Sequence, residues 1–264
     1  MPHERPSEQR NIDWGKVIET ALTAPGNMQG IYSRFYNYSF LNQIFLLMQG
    51  VREPVATYRR WQEIGRQVVK GAKAKDIIRP IFAKRSPGDN EEEPIPIGFK
   101  PVRCIFTLSE TEGPALPPME LPGWNEETAL AKLNIRRVRF DSLNGNIQGF
   151  SQGRDIAINP IAVNPRKTLI HELAHVVLNH TIPPRLTEYA NHRGLMEFEA
   201  EGSAYLTLNE LGKLDQETAH RSRGYLQDWL DGSKPPDSSI RHVFSATDVI
   251  LKAGRLAILP PEEK

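Results

Sequence analysis

Residues 168–180, TLIHELAHVVLNH, constrain the fold more than any other stretch of the chain. His171 and His175 are four apart, so on a helix their imidazoles leave one face a single turn apart. The positions around them, Leu169, Ile170, Leu173, Ala174, Val176, Val177 and Leu178, are apolar nearly all round. Such a helix belongs in a core, where ionisable groups need compensation. A metal supplies it: both imidazoles can reach one tetrahedral Zn2+ at about 2.0–2.1 Å, and Glu172 then lies beside the open position as the candidate catalytic base. The alternative is that ordinary hydrogen bonds satisfy the two histidines.

A site of this type needs a third protein ligand. In LMEFEAEGSAYL, residues 195–206, Glu197 and Glu201 share one helix face and Glu199 points away. EFEAE resembles the ExxxD segment of zincins whose third ligand is a glutamate, with Glu201 in place of the aspartate. The resemblance implies Glu197 on the metal and Glu201 behind it, orienting an imidazole N–H. The longer second carboxylate leaves the swapped assignment open. It further implies a zinc metallopeptidase, with the short strand at 155–159 placed to pair with an extended protein substrate of unknown identity. His180, Tyr189 and His192 are candidate oxyanion donors.

Composition bears on what else the chain does. A formal charge of +1 over 264 residues argues against a nucleic-acid binder, but the charge is uneven. Residues 52–85 hold ten basic and three acidic side chains, a local +7 that leaves −6 elsewhere. Tyr58, Trp61 and Phe35-Tyr36 are interspersed with this run, a combination suited to single-stranded DNA, whose bases stack on rings while cations follow the backbone. The candidate contacts are Arg59, Arg60, Trp61, Arg66, Lys70, Lys73 and Lys75; a solvated basic face is the alternative. A lone cysteine, Cys104, excludes an intramolecular disulfide and points to a reducing, cytoplasmic setting. The polar N-terminus shows no secretory signal, and no apolar run is long enough to span a membrane.

Local patterns predict helices over 13–22, 39–48 and 57–65, a strand–turn–strand over 67–82, a solvated loop over 86–98 and a strand over 100–108. Four prolines in 109–123 read as a linker. Beyond it come a helix at 125–134, a strand at 136–140, an Asn144-Gly145 hairpin turn, the strand at 155–159 and the helix at 166–179. The organisation read from this is a DNA-binding domain over 1–110, a Pro-rich linker over 111–123 and a metallopeptidase domain over 124–264. The fold class is α+β, with a small antiparallel sheet in the first domain and a zincin-like HExxH domain in the second.

YNYSFLNQIFLLMQG (36–50), YRRWQEIGRQVVKGAKAKDIIRPI (58–81) and TLSETEGPALP (107–117) resemble the single-stranded-DNA-binding domain of ArdC-type antirestriction proteins. The characteristic W-x-x-x-G-x-x-V-x-K-G stands here as Trp61, Gly65, Val68, Lys70 and Gly71. TLIHELAHVVLNH, EFEAEGSAYLTLNELG and GYLQDWL are similar to that family's zincin-like domain in order and spacing. The family usually has glutamine at Glu110, and glutamate more often than lysine at Lys73. The resemblance implies protection of incoming single-stranded DNA from restriction. Two further readings remain open: a regulatory protease acting on a repressor or another DNA-bound protein, and a non-catalytic shield with a structural metal site.

Overall fold

The computed structural model describes residues 12–33, 38–82, 96–116, 123–142, 146–182, 185–232 and 235–256. The chain begins with helices α1 (Trp14–Thr23), α2 (Met28–Tyr32) and α3 (Phe40–Met48), followed by β1 (Val55–Thr57), α4 (Tyr58–Glu63), β2 (Gln67–Val68), β3 (Lys75–Phe82), β4 (Pro96–Thr107) and β5 (Thr111–Glu112). Then come α5 (Glu126–Lys132), β6 (Arg136–Arg137), β7 (Gly149–Gln152), β8 (Asp155–Ile158), α6 (Pro165–Val177), α7 (Arg185–Glu210), α8 (Gln216–Gly232) and α9 (Asp237–Gly254). Helix starts follow side-chain chemistry: Ser39, Thr57, Asn125 and Asn164 each accept a hydrogen bond from a backbone N–H three residues on. The chain forms two compact units, one of residues 1–13 and 31–117, the other of 14–30 and 118–264.

In the first unit an antiparallel sheet has the order β1-β4-β3, so β3 is an edge. Helix α3 covers that edge with two side-chain amides. Asn42 Oδ1 accepts from Ile78 N at 2.7 Å and its Nδ2 donates to Ile78 O at 3.1 Å. Gln49 does the same for Asp76, at 2.9 and 2.8 Å. Positions seven apart on the helix thus satisfy residues two apart on the strand, and the edge cannot recruit another strand there. The Pro-rich stretch begins folded: Thr107 and Glu110 form a reciprocal cap around a 3-10 turn, and β5 pairs with β2.

In the second unit α6 is central, packed by α7 and α9 on one side and by β7 and β8 on the other. Its Leu169, Ile170, Leu173, Ala174 and Val176 join Ile156, Ile158, Ala200, Ala204, Leu208 and Ile250 in one core. The close approach of β7 requires Gly149, where a Cβ would stand 2.6 Å from Thr168 Cγ2. Helix α1 belongs to this unit. It buries Val17, Ile18, Ala21 and Leu22, and Tyr205 Oη donates to Leu22 O at 2.8 Å. The sheet order is β6-β8-β7, with β8 parallel to β6 and antiparallel to β7. The strand expected to pair with a peptide is therefore central, paired with β7 along its length and with β6 at Asp155 and Ile156. The Asn144-Gly145 turn and most of the 86–98 loop lie outside the described residues.

Candidate metal centre and nucleic-acid surface

Helices α6 and α7 together bring three ligand groups to one point. His171 and His175 turn their Nε2 atoms toward each other at 3.1 Å. Glu197 lies 3.3 Å from His171 Nε2 and 3.8 Å from His175 Nε2. Ligands about 2.1 Å from a common cation stand roughly 3 to 3.5 Å apart, so the donor set fits a divalent metal. The ligand atoms of these three residues all lie within 4.8 Å of one another.

Glu201 is one turn further on. Its Oε2 is 3.4 Å from His171 Nδ1 and its Oε1 is 2.8 Å from Lys167 Nζ. Burial alone would raise the Glu201 carboxyl; hydrogen bonding to His171 and the Lys167 charge outweigh it and hold it down at about 2. Burial would likewise lower the His171 imidazole, but Glu197 and Glu201 hold it up at about 9. A cation must displace that proton to bind. Glu172 is buried and accepts from Ser151 Oγ at 2.6 Å. These groups line a cavity of about 630 Å3, which Arg193 and Arg221 also border.

Glu199, which pattern reasoning sent away from the site, is buried behind it. His180 Nε2 and His242 Nδ1 each lie 3.0 Å from one of its oxygens, and His180 Nδ1 is 3.0 Å from His175 Nδ1. Burial raises the Glu199 carboxyl, but hydrogen bonds from His180, His242 and Ser239 prevail and hold it at about 2. The one local signal was a charged residue between Phe198 and Ala200 in a buried run. The side chains of Tyr189 and His192 lie outside the described residues.

In the first unit the predicted contacts separate into two groups. Trp61 is fully buried with Ala56 and Val68, and its Nε1 donates to Phe106 O at 3.0 Å. The ring at the surface is Tyr58, 43% exposed and edge-on to Phe106. Arg66 is also inside, where its Nε donates to Thr111 Oγ1 at 2.8 Å and its two terminal nitrogens to the carbonyls of Thr111, Gly113 and Pro114. Neither Trp61 nor Arg66 presents its side chain to solvent, because each is needed to close the unit.

Of the other predicted contacts, Arg59, Arg60, Lys70 and Lys73 are exposed and Lys75 is half-buried. Arg59 and Arg60 share Glu63, each at 3.0 Å, and Lys75 pairs with Glu110 at 2.8 Å. Arg79, part of the basic run but not among the candidate contacts, and Lys100 face each other in register across β3 and β4, both exposed. Like charges directly opposite are destabilising unless an anion neutralises them. Phe35 and Tyr36 lie outside the described residues.

Residues 6–105 match the family model for the N-terminal domain of the anti-restriction factor ArdC. Two solved structures share the fold along nearly the whole chain, both of the antirestriction ArdC protein from the R388 plasmid. The metal-free form has a TM-score of 0.50 and 20% identity, covering 92% of this chain and 96% of that one. The Mn(II)-bound form has a TM-score of 0.52 and 18% identity, covering 92% and 98%. No curated protein matches the sequence.

These findings correct the peptidase reading. The α+β class stands, but the zincin-like metallopeptidase domain does not: the strand assigned to the substrate is central in its sheet, and the structures sharing the fold are of an antirestriction protein. The base role expected of Glu172 and the protein substrate were drawn from that reading, and nothing in the site's geometry or the similar structures bears on the Glu172 role itself. Zn2+ is corrected as well, since the metal in the similar structure is Mn(II). The helix spacing placed the two histidines; it did not specify a reaction or a metal. Among the described residues, no helix is long and apolar enough to cross a membrane.

Proposed function

We propose that this protein binds single-stranded DNA through its first unit and protects that DNA from restriction, in the manner implied by the antirestriction ArdC protein. The match of residues 6–105 carries the reading. Arg59, Arg60, Lys70, Lys73 and Lys75 neutralise phosphates, with Arg79 and Lys100 extending the basic surface and Tyr58 offering a ring for stacking. Trp61 and Arg66 contribute by holding the unit together. Protection on this reading is steric: a strand held along the basic surface is withheld from a nuclease.

In the second unit we assign His171, His175 and Glu197 as ligands of a divalent cation, with Mn2+ the first to test, and Glu201 as the acceptor for His171 Nδ1–H. A bound cation would supply a concentrated positive charge with positions open to oxygen ligands. The protein's own part is to keep the two Nε2 atoms and the carboxylate convergent, within a core that limits their movement.

Anisotropy titrations of labelled single- and double-stranded oligonucleotides over a salt series test the DNA reading. Tighter binding to the single strand, with log affinity falling by about 0.7 per neutralised phosphate for each decade of salt, is expected. Equal or salt-insensitive binding to both would refute it.

A further inference from the structure

Glu197, Glu199 and Glu201 alternate along α7, so Glu199 faces away from the ligand face that the other two share. It reaches the metal cluster from behind, through His180. The end of α6 makes this contact. Asn179 takes a left-handed conformation with φ 60°, and the N–H of His180 returns to His175 O at 2.9 Å, folding the His180 ring back beside His175.

We propose that Glu199 and His180 are positioning residues that fix the tautomer of His175 and thereby present its Nε2 lone pair to the metal. The inference rests on reading the cluster as a metal site. Its steps follow from the ligand assignment and the distances. His175 Nε2 faces His171 Nε2 and Glu197, and with that nitrogen on the metal the ring proton of His175 sits on Nδ1. Its nearest acceptor is His180 Nδ1 at 3.0 Å, so the proton of that ring sits on Nε2. His180 Nε2 is 3.0 Å from Glu199 Oε2, the acceptor that holds it there.

His242 and Ser239 hold Glu199 in place from α9. His171 Nδ1 faces Glu201 directly, so its remaining proton sits there once a cation has displaced the one on Nε2. Two carboxylates on opposite faces of one helix thus set the two imidazoles, one directly and one through an intervening ring. Supporting groups of this kind typically change metal affinity 10–100-fold.

The test uses the full chain and Mn2+. Wild type binds Mn2+, and Glu199→Gln is expected to bind about ten-fold more weakly, because an amide can donate to or accept from His180 Nε2 and no longer selects one tautomer. His180→Phe weakens binding at least as much. Adding Glu199→Gln to His180→Phe weakens it no further, since Glu199 acts through His180; a general structural effect would add instead. Long-range 1H–15N spectra of chelator-treated protein read the tautomer directly: His175 protonated on Nδ1 in wild type and mixed in Glu199→Gln. Unchanged affinity and tautomer in Glu199→Gln, or additive losses in the double variant, would overturn the proposal. If His180→Phe does not fold, the spectrum of Glu199→Gln decides alone. If wild type and His171→Ala take up Mn2+ equally, the metal reading fails, and the same spectra still decide the tautomer.

Discussion

Replacing Arg66 by methionine separates a side chain that builds the fold from one that contacts DNA. Methionine keeps most of the apolar stem and removes every donor. Three backbone carbonyls, of Thr111, Gly113 and Pro114, and the Thr111 hydroxyl then lose the guanidinium, although the hydroxyl still donates to Leu108 O. A buried polar group left unpaired costs about 1–3 kcal/mol; because Gly113 and Pro114 are exposed and water replaces part of what they lose, the four acceptors give a gross loss on the order of 4–8 kcal/mol rather than the full sum. Relief from burying the guanidinium returns several kcal/mol, and the net destabilisation expected is about 2–4 kcal/mol. That is a large share of the roughly 5–15 kcal/mol typical of a domain. With urea slopes of about 1–3 kcal/mol per molar, the midpoint of the first unit should fall by on the order of 1–2 M. Hydrogen exchange over residues 55–116 during urea titration would follow that unit alone. The control is Lys70→Met, exposed, which should leave stability within about 0.5 kcal/mol and reduce the salt slope of DNA binding. An Arg66→Met protein of wild-type stability that lost single-strand binding would refute the structural role.

Asn42→Leu removes both hydrogen bonds to Ile78, and the β3 edge should lose about 2 kcal/mol of local protection, read as faster exchange of the Ile78 amide; unchanged protection would count against edge capping. In chelator-treated protein, the pKa of His171 is raised from about 6.5 unfolded to about 9 folded. Its stabilisation is therefore full below pH 6.5 and lost as pH rises through 9, so the melting temperature should fall between pH 7 and 10, and less so in His171→Gln. Mn2+ binding at pH 7.5 should release close to one proton, measured calorimetrically in buffers of different ionisation heat; release of none would contradict the raised pKa. Gly149→Ala, which forces a Cβ to within 2.6 Å of Thr168 Cγ2, should push β7 from α6 and cost about 1–3 kcal/mol, seen in thermal melts.

Much of this protein was legible in its sequence because the signals are local. The helices expected at 39–48, 57–65, 125–134 and 166–179 are α3, α4, α5 and α6, whose starts Ser39, Thr57, Asn125 and Asn164 cap, and the four-residue spacing of His171 and His175 placed both rings on one face. Neighbours along the chain also made the uneven charge visible. What required the tertiary structure was the partner of each face. Tyr58 and Trp61 sit three apart on one short helix, and only packing against Val68 and Ala56 sends the tryptophan inside and leaves the tyrosine out. Arg66 looked like a phosphate contact until the carbonyls of Thr111, Gly113 and Pro114, over forty residues away, closed around it. The strand at β8 looked free to take a peptide until β6 and β7 were seen on its two sides. Glu199 looked turned away until the bend at Asn179 brought His180 between it and His175. Periodicity records which side of an element is apolar or charged over a few residues. Which distant group meets that side depends on how the whole chain closes, and neither the cation nor the task of a two-histidine helix follows from its spacing.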